Sequence, residues 1–551
     1  MPGTPIDRLE HWVATQPDRV FLRQPENGRF RDLTWREVQL QAQRVAGAMR
    51  HLGLRPGDTV ALFSKNCAEW FIADLAIMLG GFVSVPVYPT ANAKTVRYVL
   101  EHSEASAVFV GKLDHPTRQE GALGKDILRL GFPYPSPPVD HSWQSLLDLA
   151  EPLRDAPRPQ PNQTMSIVYT SGSTGRPKGV VHSFASLSWA RETVALDLQA
   201  TPDDRTVSYL PLAHITERVY IEMGSLFTGN AVAFVQSLDT FLDDVTRAGP
   251  TMFISVPRLW ALFRERVLDT LGARKLEVLL AVPRIGDFVR RRIRRNLGLE
   301  HARLLGCGSA PVDPELLKWY ERIGLNITQG WGMTENAAYG TIQHPFRSDK
   351  IGSAGRPAIG AEFKISDQGE LLFRSSGLMN GYHKQPEETA SAMTDDGFLR
   401  TGDLGYVDTD GYVFVTGRVK DIFKTAKGLY VSPIPIEQAL IREETVGIAC
   451  VIGSGLPHPV AVVQLAEAVR SNERETVRSR LQVVLDRLNG ELTRHERLDA
   501  IVVTDAPWTV ENDLLTPTLK VKRHILERRF AALSVKPRHG RVYWLDELQP
   551  A

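Results

Sequence analysis

The chain has 551 residues, of which 43% are hydrophobic and 23% charged, an ordinary composition for a soluble globular protein but too long for one compact core. Its net charge of +1 gives no reason to expect nucleic acid as a partner. Three widely separated cysteines, Cys67, Cys307 and Cys450, lack the spacing of a metal site and indicate a reducing compartment. We therefore expect a cytoplasmic protein of two or more domains.

Helix and strand patterns alternate over the first 110 residues. Residues 7–50 read as two amphipathic helices around a short β element, and Thr34 and Glu37 form a capping-box pattern. The pattern then predicts a strand, a helix and a strand, and a further helix and strand, in the segments 57–63, 67–80, 82–88 and 93–110. The alternation predicts layered α/β structure with parallel strands.

The stretch 71–89 is apolar enough to be considered as a membrane span. It is interrupted by four residues, Asp74, Gly80, Gly81 and Pro86. A spanning helix needs about 20 apolar residues without such breaks, so a buried helix, a glycine turn and a core strand fit better. The N-terminus has no apolar stretch and predicts no secretory signal.

Proline is frequent between residues 111 and 162, where the alternation stops. Nine prolines fall there, and eight of them lie between residues 133 and 161: Pro133, Pro135, Pro137, Pro138, Pro152, Pro157, Pro159 and Pro161. We expect a surface excursion that leads back to the glycine-rich loop described next, and it allows no substrate assignment.

A loop rich in glycine and hydroxyl groups follows a buried strand that ends near Tyr169. Residues 169–179 read Tyr-Thr-Ser-Gly-Ser-Thr-Gly-Arg-Pro-Lys-Gly. Glycines let the backbone approach an anion, successive N–H groups form a nest, and the hydroxyls and lysine add donors. The spacing differs from a Walker A loop. The loop predicts a phosphate site made by Thr170, Ser171, Gly172, Ser173, Thr174, Gly175 and Lys178. A flexible surface loop is the alternative.

The ending Thr-Gly-Arg-Pro-Lys-Gly resembles the adenylate-forming superfamily, which contains acyl-CoA synthetases, firefly luciferase and peptide-synthetase adenylation domains. In that family the loop holds the β- and γ-phosphates of ATP. Five strings match in order over residues 7–530. The resemblance implies an α/β fold: a large N-terminal domain of layered α/β sheets with a small β-barrel, and a smaller, mobile α+β C-terminal domain. We place these domains at residues 1–418 and 419–551.

A histidine follows a strand-like run in residues 208–217, Ser-Tyr-Leu-Pro-Leu-Ala-His-Ile-Thr-Glu. The string resembles the family's Leu-Pro-Leu-x-His segment, which implies that His214 lies beside the carboxylate substrate. A packed or surface histidine is the alternative. On the helix predicted over 184–196, Trp189 either lines an acyl tunnel or is a core aromatic.

Two strings point to the adenine and to the metal. The turn at Gly308, Ser309 and Ala310 resembles one whose backbone lies against the adenine face. Residues 328–335, Thr-Gln-Gly-Trp-Gly-Met-Thr-Glu, are similar to a string whose aromatic packs near adenine, here Trp331. The resemblance implies that Thr334 bonds the α-phosphate and that Glu335 coordinates Mg²⁺, with Thr174 also assigned to the metal. A carboxylate near a triphosphate requires a cation between them. Helix capping is the alternative for Thr334 and Glu335.

A ribose site is implied by Asp403 in the string Arg-Thr-Gly-Asp-Leu-Gly and by Arg418, both from the resemblance. Without the resemblance, Asp403 could equally be an aspartate that closes a turn. Strands over 352–377 are expected to belong to a small distorted barrel or sheet. A hairpin turn over 408–411 precedes the returning strand.

The last part of the chain predicts an α+β domain. We expect a helix from 436, strands at 447–452 and 460–465, a helix over 474–491 and a strand at 499–503. The resemblance implies that Lys420 is the hinge and that the loop from Lys424 to Gly428 lines a thiol tunnel. It also implies that a lysine bridges the acyl carboxylate and the α-phosphate. The family's usual string has Gly before that lysine, whereas this chain has Leu519, so Lys520 is favoured and Lys522 stays an alternative.

A dense basic segment, Val-Arg-Arg-Arg-Ile-Arg-Arg, occupies residues 289–295. A solvated helix face is the ordinary interpretation. Attraction to anionic lipid, at the inner face of a membrane, or to an acidic carrier protein is the alternative.

The resemblance implies a ligase that uses ATP and Mg²⁺ to convert a fatty acid to an acyl-adenylate and then transfers the acyl group to CoA. The strings around 423–431 and 514–523 look most like long-chain fatty acid members. The alternatives are acyl transfer to acyl carrier protein or another acceptor, and a medium-chain or aryl acid. A further alternative is a non-catalytic relative that binds a nucleotide or an acyl group. The presence of Lys520, Glu335 and Asp403 argues against it.

Overall fold

The structure is a computed structural model that describes residues 3–114, 120–124, 126–156, 158–170, 176–510, 512–516, 520–531 and 540–548. The chain divides into two compact units. The first comprises Met1–Phe363, Phe373–Arg400 and Val407–Val413, and the second comprises Lys364–Leu372, Thr401–Tyr406 and Phe414–Ala551.

Helices of the first unit are numbered in chain order. They are α1 Pro5–Thr15, α2 Trp35–His51, α3 Ala68–Leu79, α4 Ala93–His102, α5 Trp143–Leu149, α6 Phe184–Asp197, α7 with its consecutive pieces Ile215–Glu217, Arg218–Glu222 and Met223–Thr228, α8 Phe241–Ala248, α9 Pro257–Leu271, α10 Ala273–Ala281, α11 Ile285–Asn296, α12 Pro314–Arg322 and α13 Pro386–Ser391. The capping box predicted at the start of α2 is confirmed, because Thr34 Oγ1 accepts the Glu37 N–H and the Glu37 carboxylate accepts the Thr34 N–H.

A seven-stranded sheet forms the centre of the first unit. In spatial order its strands are Gly381–Tyr382, Lys178–Ser183, Thr164–Thr170, Val83–Val87, Thr59–Phe63, Ala105–Val110 and Leu128–Gly131. The last five of these run parallel, and the first two pair antiparallel. Val60 and Leu62 enter one apolar cluster and Ala61 and Phe63 another, so both faces of the sheet are covered. The predicted α/β layering is confirmed.

Helix α3 follows the strand Thr59–Phe63, and all its residues are buried. A turn at Gly80 and Gly81 then leads into the strand Val83–Val87. The stretch 71–89 is therefore a buried helix, a glycine turn and a core strand, as predicted.

The expectation for residues 111–162 needs correction, because this segment also contributes to the central sheet. The strand Leu128–Gly131 pairs in parallel with Ala107–Val110 and extends the sheet by one strand, and α5 follows it. Four residues with no clear alternation give little signal in the sequence, and partner strands decide such an edge.

Two further sheets complete the first unit. One has the order Arg29–Thr34, Val20–Glu26, Ala231–Phe234 and Arg205–Ser208. The other has the order Met252–Ser255, Leu304–Cys307, Ile327–Trp331, Thr341–Ile342 and Arg356–Pro357. The strands Leu304–Cys307 and Ile327–Trp331 are parallel neighbours, which places the loops that follow them at the same edge of the sheet.

Most residues of the next four-stranded sheet belong to the second unit. Its order is Glu362–Ile365, Glu370–Arg374, Leu399–Val407 and Val413–Arg418. A two-stranded hairpin and another four-stranded sheet follow, with the strands Phe423–Lys424, Tyr430–Val431, Val446–Ile452, Val460–Leu465, Ala500–Thr504 and Arg541–Trp544. The helices are α14 Pro433–Ile441, α15 Arg474–Glu491 and α16 Arg523–Ala531. The α+β pattern predicted for the C-terminal part is confirmed.

Among the described residues, no helix is both long and apolar enough to span a bilayer.

Candidate functional site

The phenol of Tyr382 joins two of the predicted site residues in the first unit. Its hydroxyl donates to the Glu335 carboxylate at 2.8 Å, and the Lys178 ammonium lies 4.8 Å from the centre of its ring. Lys178 also forms an ion pair with Glu388. One aromatic side chain therefore contacts a carboxylate through its hydroxyl and an ammonium through its ring.

Strand pairing fixes the two ends of the predicted phosphate loop. Thr170 is the last residue of its strand, and it pairs across the sheet with Lys178, the first residue of the next strand. Ser171, Gly172, Ser173, Thr174 and Gly175 lie outside the described residues, so their predicted contacts with phosphate and metal stay predictions.

A short 3₁₀ helix, Thr334–Asn336, presents Thr334 and Glu335 just after the strand Ile327–Trp331. At Gly332 an added Cβ would lie 2.4 Å from the Ala338 carbonyl carbon, so only glycine fits this close approach. Glu335 itself is 9% exposed. The carboxylate is thus placed by backbone that folds tightly on itself.

His182, which the sequence did not single out, supports the segment Thr334–Asn336 from the strand Lys178–Ser183 of the central sheet. Its Nε2 donates to the Thr334 carbonyl at 2.7 Å. Burial lowers the pKa of His182 to about 4, so the ring is neutral near pH 7. The missed signal was the position of this histidine four residues after Lys178, on the strand that leaves the phosphate loop.

The turn predicted to face adenine, residues 308–310, directly follows the strand Leu304–Cys307. The Gly308 N–H donates to the Ser255 carbonyl at 3.3 Å, and a Cβ on Gly308 would lie 3.2 Å from the Gly330 oxygen. Ser309 has φ of 66°, and Ala310 is exposed. This turn therefore lies close to the strand that carries Trp331.

The indole of Trp331 is half-buried against two other aromatic rings. Its ring centroid lies 5.6 Å from that of Phe363 and 6.0 Å from that of Phe373. Packing of this kind holds an aromatic face in a fixed orientation.

His214 caps the start of α7. Its Nδ1 accepts the Thr216 N–H at 3.2 Å, and the Thr216 hydroxyl lies 3.4 Å from the Ser309 hydroxyl. The structure therefore brings His214 near the turn at 308–310. Its predicted place beside a substrate carboxylate stays a prediction.

Glu217, three residues after His214, is a second residue that sequence analysis did not single out. Its carboxyl Oε1 lies 2.8 Å from Ser208 Oγ, 2.9 Å from the Tyr209 nitrogen and 3.3 Å from Asn66 Nδ2. Burial raises the pKa of Glu217 to about 8. This cluster connects the strand before His214 with the helix after it.

Trp189 packs between α6 and neighbouring backbone. Its ring meets Tyr339 edge-on at 5.9 Å, and added Cβ atoms on Gly360 and Gly377 would lie 2.8 and 3.0 Å from it. These contacts favour the core-aromatic interpretation over a tunnel wall.

In the second unit, Asp403 forms an ion pair with Arg418. The Asp403 Oδ1 and the Arg418 Nε are 3.1 Å apart; Asp403 is almost fully buried, whereas 55% of the Arg418 side chain is exposed. The two residues assigned to the ribose are therefore neighbours.

Lys520 lies close enough to Asp403 and Arg418 for their charges to affect its pKa. Its backbone closes a turn with Thr516, whose N–H donates to the Lys520 carbonyl at 2.8 Å. Although the side chain is exposed, neighbouring protein atoms lower the pKa of Lys520 to about 8, first by desolvation and then through the positive charge of Arg418. Lys522, by contrast, forms an ion pair with Asp513. Between the two candidate lysines, these interactions favour Lys520 as the one close to Asp403 and Arg418.

The loop expected to line a thiol tunnel is a tight hairpin. Lys424 pairs with Tyr430 across it, and the Lys424 ammonium lies 5.5 Å from the centre of that ring. Gly428 has φ of 81°, a conformation that favours glycine at the turn. Lys420, the predicted hinge, is exposed just before this hairpin.

No group of three or more His, Cys, Asp or Glu side chains that could hold a metal ion occurs in the described ranges. Among the described residues, Glu335 stays the predicted metal ligand.

Residues 9–383 match the family described as AMP-binding enzyme, and residues 420–533 match the AMP-binding enzyme C-terminal domain. The chain is 28% identical over 576 residues to the long-chain-fatty-acid–CoA ligase FadD15 of Mycobacterium bovis, with 94% of each chain covered. It is 30% identical over 559 residues to the peroxisomal acyl-CoA ligase 891 of Penicillium roqueforti, covering 85% of this chain and 79% of that one.

Among solved structures, the fold is similar to the adenylation domain of a carboxylate reductase from Mycobacterium chelonae. The TM-score is 0.81 at 24% identity, with 96% of this chain and 90% of that chain covered. The fold predicted from the sequence is confirmed by this likeness.

Proposed function

The chain belongs to the AMP-binding enzyme family, and we propose that it is an acid–thiol ligase that activates a long-chain fatty acid with ATP and transfers the acyl group to CoA. The names of the relatives, a long-chain-fatty-acid–CoA ligase and an acyl-CoA ligase, support the acid and the acceptor. Adenylation turns a carboxylate, which is a poor electrophile, into an anhydride with a good leaving group.

One observation carries the proposal: Tyr382 contacts Glu335 through its hydroxyl and Lys178 through its ring, and Lys178 stands at the end of the loop predicted to bind phosphate. A mobile ammonium suits phosphate oxygens, and a carboxylate suits a divalent cation. Binding of a nucleoside triphosphate with its divalent cation needs both an ammonium and a carboxylate.

In the first half-reaction, a carboxylate oxygen of the acid forms a bond to the α-phosphorus of ATP, and the bond from that phosphorus to pyrophosphate breaks. Two anions must meet, so electrostatic stabilisation is the main requirement. Lys178 offsets charge on the departing phosphates. The Thr334 hydroxyl donates a hydrogen bond to the α-phosphate, and His182 holds the backbone carbonyl of Thr334 in place.

Glu335 fits a Mg²⁺ ion, because such ions are held by one or two carboxylates together with phosphate oxygens and water. When bound, Mg²⁺ supplies positive charge to the phosphates. The Tyr382 hydroxyl orients the Glu335 carboxylate for that task. Thr174 is proposed as a further ligand.

Gly308, Ser309, Ala310 and Trp331 are proposed to bind the adenine, and Asp403 with Arg418 the ribose hydroxyls. A carboxylate can accept two hydroxyl hydrogen bonds at once. Lys520 is proposed to offset charge on the acyl carboxylate and the α-phosphate, and His214 to lie beside the same carboxylate.

In the second half-reaction, the CoA sulfur forms a bond to the acyl carbon and AMP leaves with the electron pair of the broken anhydride bond. We propose that the hairpin from Lys424 to Gly428 lines the thiol path. The domains 1–418 and 419–551 are proposed to turn about Lys420 between the two half-reactions, as a short hinge allows.

The protein is proposed to act in the cytoplasm, with acyl carrier protein as the alternative acceptor. The test is pyrophosphate release with Mg-ATP over carboxylates from acetate to oleate, with and without CoA. Turnover that requires CoA and peaks at long chains supports the proposal. A stoichiometric burst that CoA does not convert to turnover points to another acceptor, and an absence of any pyrophosphate contradicts the ligase.

A further inference from the structure

The basic segment 289–295 lies on α11, which forms a helical hairpin with α10. Leu276 on α10 and Val289 and Ile293 on α11 are buried and join the apolar cluster beneath. At Gly286 an added Cβ would lie 2.7 Å from the Leu280 carbonyl oxygen, so the two helices approach closely near the turn. The hairpin is therefore a fixed part of the first unit.

Large apolar side chains project from the hairpin around its turn. Four of them are exposed: Val278 by 67%, Val282 by 40%, Ile285 by 47% and Phe288 by 64%. Ile285 and Phe288 are three residues apart on α11, so they lie on neighbouring positions of one helix face. A cluster of this kind at a single turn marks an interaction surface, whereas isolated exposed apolar residues do not.

The basic side chains continue the same face of α11. With 100° between successive residues, Phe288, Arg291 and Arg295 lie within 60° of one another, on the side of α11 away from the buried Val289 and Ile293. Arg292 lies 40° from Phe288, at the edge of this exposed side. Arg295 is paired with Glu300, whereas the side chains of Arg291 and Arg292 form no hydrogen bond or ion pair within the described ranges. Residues 273–296 carry eight basic and two acidic side chains, in a chain whose net charge is only +1.

We propose that this docking face, defined as Val278, Val282, Ile285, Phe288, Arg291 and Arg292, binds the surface of an anionic phospholipid membrane. The apolar residues enter the boundary between headgroups and acyl chains, and the arginines contact lipid phosphates. An acidic carrier protein would match the arginines, but it gives no reason for Phe288 and Val278 to be exposed beside them. The ordinary interpretation, a solvated helix face, does not account for these apolar residues either.

Such docking would bring a water-insoluble acid to the enzyme, and this consequence rests on the proposed function. The binding itself does not, since it can be measured without ATP or acid. Failure of vesicle binding therefore leaves the ligase proposal intact, and failure of the ligase leaves the membrane proposal intact.

The test is sedimentation of the full chain with vesicles of phosphatidylglycerol and phosphatidylcholine, or of phosphatidylcholine alone. We expect binding to the anionic vesicles that weakens as salt is raised. The double variant Arg291→Gln/Arg292→Gln should bind about 25-fold less, since each basic residue near such a surface contributes about fivefold. Phe288→Ser should bind about tenfold less.

Matched controls come from elsewhere on the surface. Arg36→Gln/Arg158→Gln removes two exposed arginines, and Leu238→Ser removes an apolar residue that is 85% exposed. Both controls should bind like the unaltered chain. Equal binding to the two kinds of vesicle, or full binding by the 291/292 double variant, would overturn the proposal. So would binding of an acidic carrier protein, without vesicle binding, that is lost in the double variant and kept in Phe288→Ser.

Discussion

The hydroxyl of Tyr382 lies 2.8 Å from the carboxylate of Glu335, and the ring of the same tyrosine supports the Lys178 ammonium. Residues far apart in the sequence thus share one side chain that touches both a proposed metal ligand and a proposed phosphate ligand. Tyr382 is therefore a positioning residue for both.

Tyr382→Phe removes the hydroxyl and keeps the ring. A hydrogen bond to a charged group contributes about 1.5–3 kcal/mol, so kcat/KM for pyrophosphate release should fall about 10- to 100-fold. Because the loss falls on the proposed Mg²⁺ ligand, raising the Mg²⁺ concentration should recover part of it. The half-exposed Tyr406, changed to Phe, serves as the control. A loss that is the same at every Mg²⁺ concentration would contradict this role for Tyr382.

Much of the central sheet could be predicted because its strands are continuous apolar runs. The strand Thr164–Thr170 is buried at all but its two ends, and the hydroxyl-rich loop directly after it is visible in the sequence. The strand Leu128–Gly131 could not be predicted, because four residues carry too little pattern and its partner strand determines it.

The first-unit site could be predicted only where a short string carries it. Lys178 and Glu335 lie in such strings, but Tyr382 belongs to a two-residue strand that pairs with Val180, some two hundred residues earlier. A pairing of that separation leaves no local pattern. His182 was missed for a similar reason, since a lone histidine on a strand is ordinarily a packed side chain.

Glu217 makes stability depend on pH in a stated direction. Its pKa rises from 4.5 to about 8 on folding, so the folded protein keeps a proton that the unfolded chain releases. The contribution is fully present below pH 4.5 and is lost as pH rises through about 8. Glu217→Gln imitates the protonated form, so melting temperatures should show the variant gaining on the unaltered chain between pH 5 and pH 8.

A matched control for this variant is Glu265→Gln, which makes the same chemical change at an exposed position of α9. The control should leave the dependence of melting temperature on pH unchanged, because an exposed carboxylate keeps its water on folding. A Glu217→Gln variant that follows the unaltered chain at every pH would contradict a buried, protonated Glu217.

Asp403 allows a test of the ribose assignment. Asp403→Asn keeps the size of the side chain but removes the charge that two ribose hydroxyls would share, so KM for ATP should rise about tenfold. The unaltered enzyme should prefer ATP to 2′-deoxy-ATP, and the variant should lose most of that preference. KM for the acid should stay the same. If the variant kept the full preference for the ribose 2′-hydroxyl, Asp403 would have another role, such as holding Arg418.

Lys520 should determine the alkaline limb of the adenylation rate. With its pKa at about 8, Lys520 carries its charge below that pH and loses it above, so pyrophosphate release should decline as pH rises through 8. Lys520→Arg should move this limb to higher pH, because the guanidinium stays charged. Lys520→Ala should slow adenylation about 10²- to 10³-fold, the loss seen when one stabilising group is removed. It should leave the conversion of supplied acyl-adenylate to acyl-CoA unchanged.

Lys522→Ala is the matched control, since Lys522 is paired with Asp513. Equal losses in both half-reactions, or a larger loss in the Lys522 variant, would show that the lysine was wrongly assigned.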